Sequence, residues 1–119
     1  MTINETVKIV EKLIELTQHK TLVWSSYKSN MSLASHEKCE SAYCTTYLDK
    51  NIRVFKYSYQ YWTDEDTYHW IDDTRFEFYD VVSGTTLYIF PKVTNTDELL
   101  TTIMYQNSGV EDFYTQMFN

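Results

Sequence analysis

The chain has 119 residues, of which 43% are apolar and 17% aromatic, and it carries a net charge of −7 at neutral pH. This length suits a single domain, residues 1–119, with a hydrophobic core of its own. The apolar content excludes an intrinsically disordered chain. Two glycines and one proline are too few for flexible linkers or a glycine-lined phosphate loop.

The N-terminal segment predicts an amphipathic helix from about Asn4 to His19. At about 100° per residue its apolar side chains fall on one half of the helical wheel, and its charged side chains fall on the other half. Thr2 and Glu5 have the spacing of a capping box at the helix start. We therefore expect the apolar face of this helix to pack on the core.

Alternating patterns then predict strands at Leu22–Tyr27, Ser41–Leu48 and Ile52–Tyr61. The polar segment Lys28–Glu40 is interpreted as a loop, with room for a short helical turn. A tight turn at residues 49–51 makes the second and third strands the strongest hairpin signal in the chain.

The next strand is expected within Thr67–Tyr79, after an acidic turn at residues 64–66, with a bulge or break at Asp72-Asp73. A further strand is expected at Thr85–Phe90, ended by Pro91. Helical spacing returns in two C-terminal segments, one with Leu99, Leu100, Ile103 and Met104 on a face, the other with Val110, Phe113, Tyr114, Met117 and Phe118.

Helix, strands and two helices in this order predict the α+β class. Short connections between consecutive strands indicate an antiparallel sheet of about five strands. We expect the N-terminal helix and the two C-terminal helices to pack on one face of that sheet.

Charge is unevenly distributed along the chain. Residues 1–60 carry eight Lys and Arg and six Asp and Glu, whereas residues 61–119 carry two and eleven. The acidic half repels nucleic acid and anionic membranes and attracts basic partners. The simpler alternative is a solvated acidic surface that favours solubility.

Aromatic residues coincide with the acidic half. A sheet with helices on one face leaves some of these rings in solvent, where Tyr and Trp are typical anchors of protein interfaces. Our first hypothesis is a non-enzymatic module or inhibitor, for example one encoded by a phage or neutralising a toxin, that binds a basic protein. The predicted contact residues are Tyr57, Tyr59, Tyr61, Trp62, Asp64, Glu65, Asp66, Trp70, Asp72 and Asp73.

Two further hypotheses stay open. One is a small-molecule pocket between sheet and helices, in which His69, Trp70 and Arg75 supply polar and stacking groups, with or without catalysis. The other is a homo-oligomer that covers the exposed aromatic residues. The inventory for nucleophilic catalysis is poor, because the sequence has no G-x-S-x-G pattern and no Walker motif.

His36, Cys39 and Cys44, with His69 as a fourth ligand, are candidates for a metal site. Structural zinc needs four such ligands in a closed set, and the sequence lacks a second closely spaced pair. We therefore predict no metal and no cofactor.

The same sequence favours the cytoplasm. No run reaches the roughly 18 apolar residues of a membrane helix, and charges interrupt the first apolar stretch where a signal peptide would be continuous. Two cysteines suit a reducing compartment. The bias toward Asn, Lys, Thr, Tyr and Ile suits an AT-rich bacterial or phage genome.

Overall fold

The computed structural model describes residues 1–27 and 37–119. The elements in chain order are α1 (Ile3–Gln18), β1 (Ser25–Ser26), β2 (Glu37–Tyr47), β3 (Lys50–Trp62), β4 (Tyr68–Tyr79), β5 (Thr86–Ile89), α2 (Thr96–Ser108) and α3 (Val110–Met117). The strands form one antiparallel sheet in the order β1-β2-β3-β4-β5. The predicted α+β class is confirmed. Within the described residues, no helix has the length and apolar character needed to cross a membrane.

Helix α1 begins at the predicted capping box. The Thr2 hydroxyl accepts from the Glu5 amide at 3.1 Å, and the Thr2 amide donates to the Glu5 carboxylate at 3.0 Å. Its apolar stripe buries Val10, Leu13 and Ile14. The stripe therefore forms one wall of the core, as the sequence pattern predicts.

The hairpin of β2 and β3 is also confirmed, with a shifted turn. Tyr47 pairs with Lys50, so the turn consists of Leu48 and Asp49, whose φ angles are +50° and +62°. Before it, β1 is shorter than the predicted strand, because it consists of Ser25 and Ser26, which pair with Cys44 and Tyr43 of β2.

Strand β4 is continuous, so the predicted bulge at Asp72-Asp73 is wrong. Asp72 pairs with Ser58 and Asp73 with Tyr57 in an unbroken register. Each carboxylate finds a partner on its own side of the strand, which removes the reason for a break. The irregularities lie instead between Cys39 and Ser41 on β2 and between Phe78 and Tyr79 on β4.

The core lies between the helices and one face of the sheet, here called the helix face. It joins buried side chains of α1 and α2 to alternate residues of β3 and β4. The Phe76 and Phe90 rings stack at 4.1 Å in this core. Its main members are Val10, Leu13, Ile14, Leu22, Trp24, Ile52, Val54, Phe76, Phe90, Leu99, Leu100 and Ile103.

Gln106 of α2 connects the two ends of the described chain. Its amide nitrogen donates to the carbonyls of Thr17 at 3.1 Å and Leu22 at 2.8 Å, and its oxygen accepts from the Trp24 amide at 2.9 Å. These bonds satisfy backbone groups where α1 ends. At the other end of α2, Asn95 makes no capping bond with its side chain and donates instead to the Val7 carbonyl at 3.2 Å.

The opposite face of the sheet contains a buried ion pair. Arg53 and Glu77 are both fully buried and face each other across β3 and β4, with Nη2 of Arg53 2.6 Å from the Glu77 carboxylate. The Arg53 guanidinium also donates to the Gly84 carbonyl at 3.2 Å and lies 4.5 Å from the centre of the Tyr79 ring. Tyr27 meets Tyr79 edge to face at 5.4 Å. The chain itself therefore covers this part of the opposite face.

Helix α3 differs from the expectation that both C-terminal helices pack on the sheet. It has the predicted apolar side, but none of its residues is buried. It begins at Gly109, whose φ of +76° ends α2 and turns the chain.

We predict that Glu77→Gln lowers the free energy of unfolding by about 3–5 kcal/mol, because it leaves the Arg53 charge buried without a counter-charge. Replacing both partners, as in Arg53→Met with Glu77→Leu, should cost much less. Urea unfolding measures each value. The control is Glu15→Gln, which breaks an exposed pair with Lys12 and should change the free energy by less than about 1 kcal/mol. Equal losses for Glu77→Gln and Glu15→Gln would contradict the prediction.

Stability should also fall at alkaline pH. Burial, followed by a hydrogen bond with Cys44, raises the pKa of Tyr79 to about 12, whereas an unfolded tyrosine ionises near about 10. The folded state therefore retains a proton that the unfolded state loses, and the Tyr79 contribution declines as pH rises from about 10 to about 12. The free energy of unfolding, measured with urea over this pH range, should fall less for Tyr79→Phe than for the wild type. The exposed control Tyr61→Phe should follow the wild type.

Candidate functional site

The far end of the β3–β4 hairpin is the most continuous exposed segment that carries predicted site residues. Every residue from 61 to 72 is exposed, and this segment is here called the tip. Trp62 and Tyr68 form the last strand pair before the turn, and the Thr63 amide donates to the Thr67 carbonyl at 2.9 Å to close the turn. None of these residues belongs to the core, so the tip extends past the packed part of the sheet, with Asp72 at the border of α2.

Three aromatic rings cluster on the helix-face side of the tip. The centres of Trp62 and Tyr68 lie 4.7 Å apart, and those of Tyr68 and Trp70 lie 6.1 Å apart, edge to face. The Lys38 ammonium from β2 lies 3.9 Å from the centre of the Trp70 ring, a cation–π contact. These contacts order the rings while leaving Trp62 51% and Trp70 39% exposed.

The predicted tyrosines lie on the opposite side. Tyr61 is exposed opposite His69, and Tyr59 is half-buried opposite Ile71. The rings of Tyr57 and Tyr59 lie 6.0 Å apart. The predicted contact residues are therefore divided between the two sides of one hairpin.

The five predicted carboxylates fall into two groups. Asp64, Glu65 and Asp66 are exposed in the turn, where Asp64 accepts from the Asp66 amide at 2.8 Å. Among the residues that the structure describes, no Lys or Arg forms an ion pair with these three. Within the described residues, the negative charge at the end of the tip is therefore not neutralised by an ion pair.

Asp72 and Asp73 are instead occupied within the fold. Asp72 accepts from the Ser58 hydroxyl at 2.6 Å and lies 3.6 Å from the Lys56 ammonium. The Ser58 bond, more than Lys56, lowers the pKa of Asp72. Asp73 pairs with Lys92, and this hydrogen bond raises the pKa of Lys92. These two carboxylates are therefore engaged by side chains of β3 and of the segment between β5 and α2.

The structure does not bring the three proposed pocket residues together. Trp70 points to the helix face, whereas His69 and Arg75 lie on the opposite face. Arg75 lies 4.6 Å from the Tyr57 ring centre and 3.6 Å from the Glu37 carboxylate, so its guanidinium is engaged near the middle of the sheet. It lies six positions along β4 from His69, a distance of about 20 Å.

The candidate metal ligands also lie far from one another. Cys39 pairs with Tyr57, Cys44 with Arg53 and His69 with Tyr61, so they are spread along the sheet. In the ranges 1–27 and 37–119, no group of three His, Cys, Asp or Glu side chains is close enough to hold a metal ion. His36 lies outside the described residues.

Tyr68, Ile71 and Lys38 belong to the tip surface but were not predicted. The hairpin is centred on Glu65, and counting outward from it pairs Trp62 with Tyr68. An acidic turn taken as the hairpin centre would therefore have revealed Tyr68 and Ile71. Lys38 lacked such a signal, because its contact depends on the register of β2.

A quenching experiment tests the exposure and charge of the tip. In a Trp70→Phe variant, Trp62 is the exposed indole and Trp24, 2% exposed, is the buried one. Each quenching constant is divided by its value for free N-acetyltryptophanamide, and we expect this ratio to be higher for caesium than for iodide, because carboxylates at the turn attract cations. Adding Asp64→Asn, Glu65→Gln and Asp66→Asn should remove the difference between the two ratios. Equal ratios for both ions before these substitutions would contradict the prediction.

Similarity to known proteins adds nothing to the description of the site. Comparisons of the chain with protein-family models, with curated proteins and with solved structures gave no significant match.

Proposed function

We propose that the protein is a non-enzymatic binding module that engages a basic protein through the tip of its β3–β4 hairpin. The observation that carries the proposal is the unbroken exposure of residues 61–72, which combines aromatic rings with unpaired carboxylates. An inhibitor of a basic enzyme, toxin or nucleic-acid-binding protein is the kind of role such a surface fits.

The aromatic part of the surface supports binding to a protein. Trp and Tyr are enriched among residues that dominate interface energies, because each buries a large ring at little cost in side-chain entropy. Trp62 and Trp70 are held in place by Tyr68 and by the Lys38 ammonium. A partner therefore meets rings that are already ordered, which lowers the entropic cost of association.

The charge of the turn supports a basic partner. Asp64, Glu65 and Asp66 present three neighbouring carboxylates, with Tyr61 and Trp62 beside them. Carboxylates at the rim of an interface act mainly on the association rate and on partner choice. Aromatic strands that stack on single-stranded nucleic acid sit in a basic groove, whereas this turn repels phosphate.

Capture experiments with two classes of variant test the proposal. The immobilised protein is exposed to a lysate of the cells that produce it, at about 0.05 M and about 0.5 M salt, and captured proteins are identified by mass spectrometry. We expect a basic protein to be retained best at low salt, because screening weakens the carboxylate contribution. Its affinity is then measured with purified components.

The two classes of variant should differ in their effect. Trp62→Ala with Trp70→Ala should weaken binding at least about 100-fold at either salt, since it removes two anchors. Neutralising the turn with Asp64→Asn, Glu65→Gln and Asp66→Asn should slow association about tenfold at low salt and little at high salt.

Tyr105→Ala is the matched control, because Tyr105 is 54% exposed on α2, away from the hairpin. It should bind as the wild type does. Retention of the same partner by the double Trp variant would refute the proposal.

A further inference from the structure

Helix α3 has its charged side toward the molecule and its apolar side toward solvent. The Glu111 carboxylate lies 2.9 Å from the ammonium of Lys20, just beyond α1. Glu111 and Asp112 line a cavity of about 370 Å³, together with Thr17 and Thr101 of the other two helices. The usual orientation of a surface helix, with its apolar stripe on the core, is thus reversed.

The exposed stripe is continuous along α3. At 100° per residue its members fall within one arc of the helix, at positions three and four apart. The Tyr114 and Phe118 rings lie 4.9 Å apart on it. Each side chain is between 44% and 69% exposed, and the stripe consists of Val110, Phe113, Tyr114, Met117 and Phe118.

Such a helix gains little stability within its own chain. It has eight residues and buries none of them, and an isolated helix of that length is marginal in water. Three exposed aromatic rings on one short helix also form an apolar patch of the kind that marks an interface. The stripe therefore has the properties of a surface that another molecule covers.

We propose that the stripe of α3 binds the same stripe of a second copy of the chain, so that a two-fold pair of α3 helices forms a homodimer. An isologous interface needs a surface that is complementary to itself. The stripe meets that condition because it has no charged side chain, so a pair brings no like charges into direct contact. The tip of the β3–β4 hairpin takes no part in this contact.

The area of the stripe suits a dimer of ordinary size. A buried aromatic side chain covers about 150–250 Å², so the exposed portions of the five side chains amount to roughly 600 Å² per copy. Complete burial of both stripes in a symmetric pair would remove about 1,200 Å² from solvent, the lower end of the range for stable specific interfaces.

Charge determines how this contact should respond to salt. Each copy has a net charge of −7, so repulsion between copies opposes the dimer, and salt screens that repulsion. Lys20 neutralises Glu111, the carboxylate nearest the stripe. Self-association through α3 should therefore strengthen as salt rises, whereas binding of a basic partner by the tip should weaken.

Sedimentation equilibrium of the full chain tests the proposal, with concentrations from about 1 to 200 µM at about 0.05 M and about 0.5 M salt. We expect the mass to rise from 14.3 kDa toward twice that value with concentration, at lower concentration in the higher salt. Phe113→Glu with Met117→Glu should weaken the dimer at least about 100-fold, because it buries carboxylates in an apolar contact. Circular dichroism checks that the double variant remains folded, as expected for positions that bury nothing.

Leu48→Asp is the control, because it places a carboxylate on an exposed leucine in the β2–β3 turn, where its φ of +50° suits Asp. It should dimerise as the wild type does. A mass of 14.3 kDa at every concentration would overturn the proposal, as would a dimer that survives Phe113→Glu with Met117→Glu. If hydrogen exchange protected α3 in a sample that sediments at 14.3 kDa, the cover would come from the same chain, which also excludes a second copy.

Discussion

The pairing of Arg53 with Glu77 is the constraint on which the hairpin of β3 and β4 depends. Both groups are fully buried on the opposite face, and a register shift of one residue between the two strands would turn one of the two charges onto the helix face among Ile52, Val54 and Phe76. That displacement would place one charge in an apolar core and leave the other buried without its partner, which is strongly unfavourable. The ion pair thus selects one register, and the same register sets which rings meet at the tip.

The exposure of the tip follows from a mismatch in length. Strands β3 and β4 have 13 and 12 residues, about 40 Å of strand, whereas the core residues that they supply lie near the end of the hairpin away from the tip. Helix α2 still borders the hairpin at Lys56, Asp72 and Thr74, and nearer the turn the side chains of the two strands contact one another. Cross-strand ring contacts, such as Trp62 with Tyr68, stabilise the pairing where there is no core beneath it.

Local patterns predicted much of the fold, and contacts between distant residues set the limits. The capping box of Thr2 and Glu5 and the hairpin around Leu48 depend on near neighbours and were legible in the sequence. The exposure of Trp62 and Trp70 agrees with the expectation that helices on one face of the sheet leave some aromatic residues in solvent.

Other features depended on distant partners. The expected break at Asp72-Asp73 failed because Ser58, Lys56 and Lys92 satisfy those carboxylates from other elements. The partnership of Arg53 with Glu77 was missed, since it appears only when the register is known. For α3 the apolar side was predicted and its direction was not, because the direction depends on Gly109 and on an ion pair with Lys20.

Gln106 also has a consequence for synthesis on the ribosome. It binds the Trp24 amide across 82 positions of sequence, so the apolar stripe of α1 leaves the exit tunnel long before α2 exists to cover it. Native packing of α1 against α2 therefore waits until the chain has been made as far as α2, and until then the apolar stripe of α1 stays without that cover.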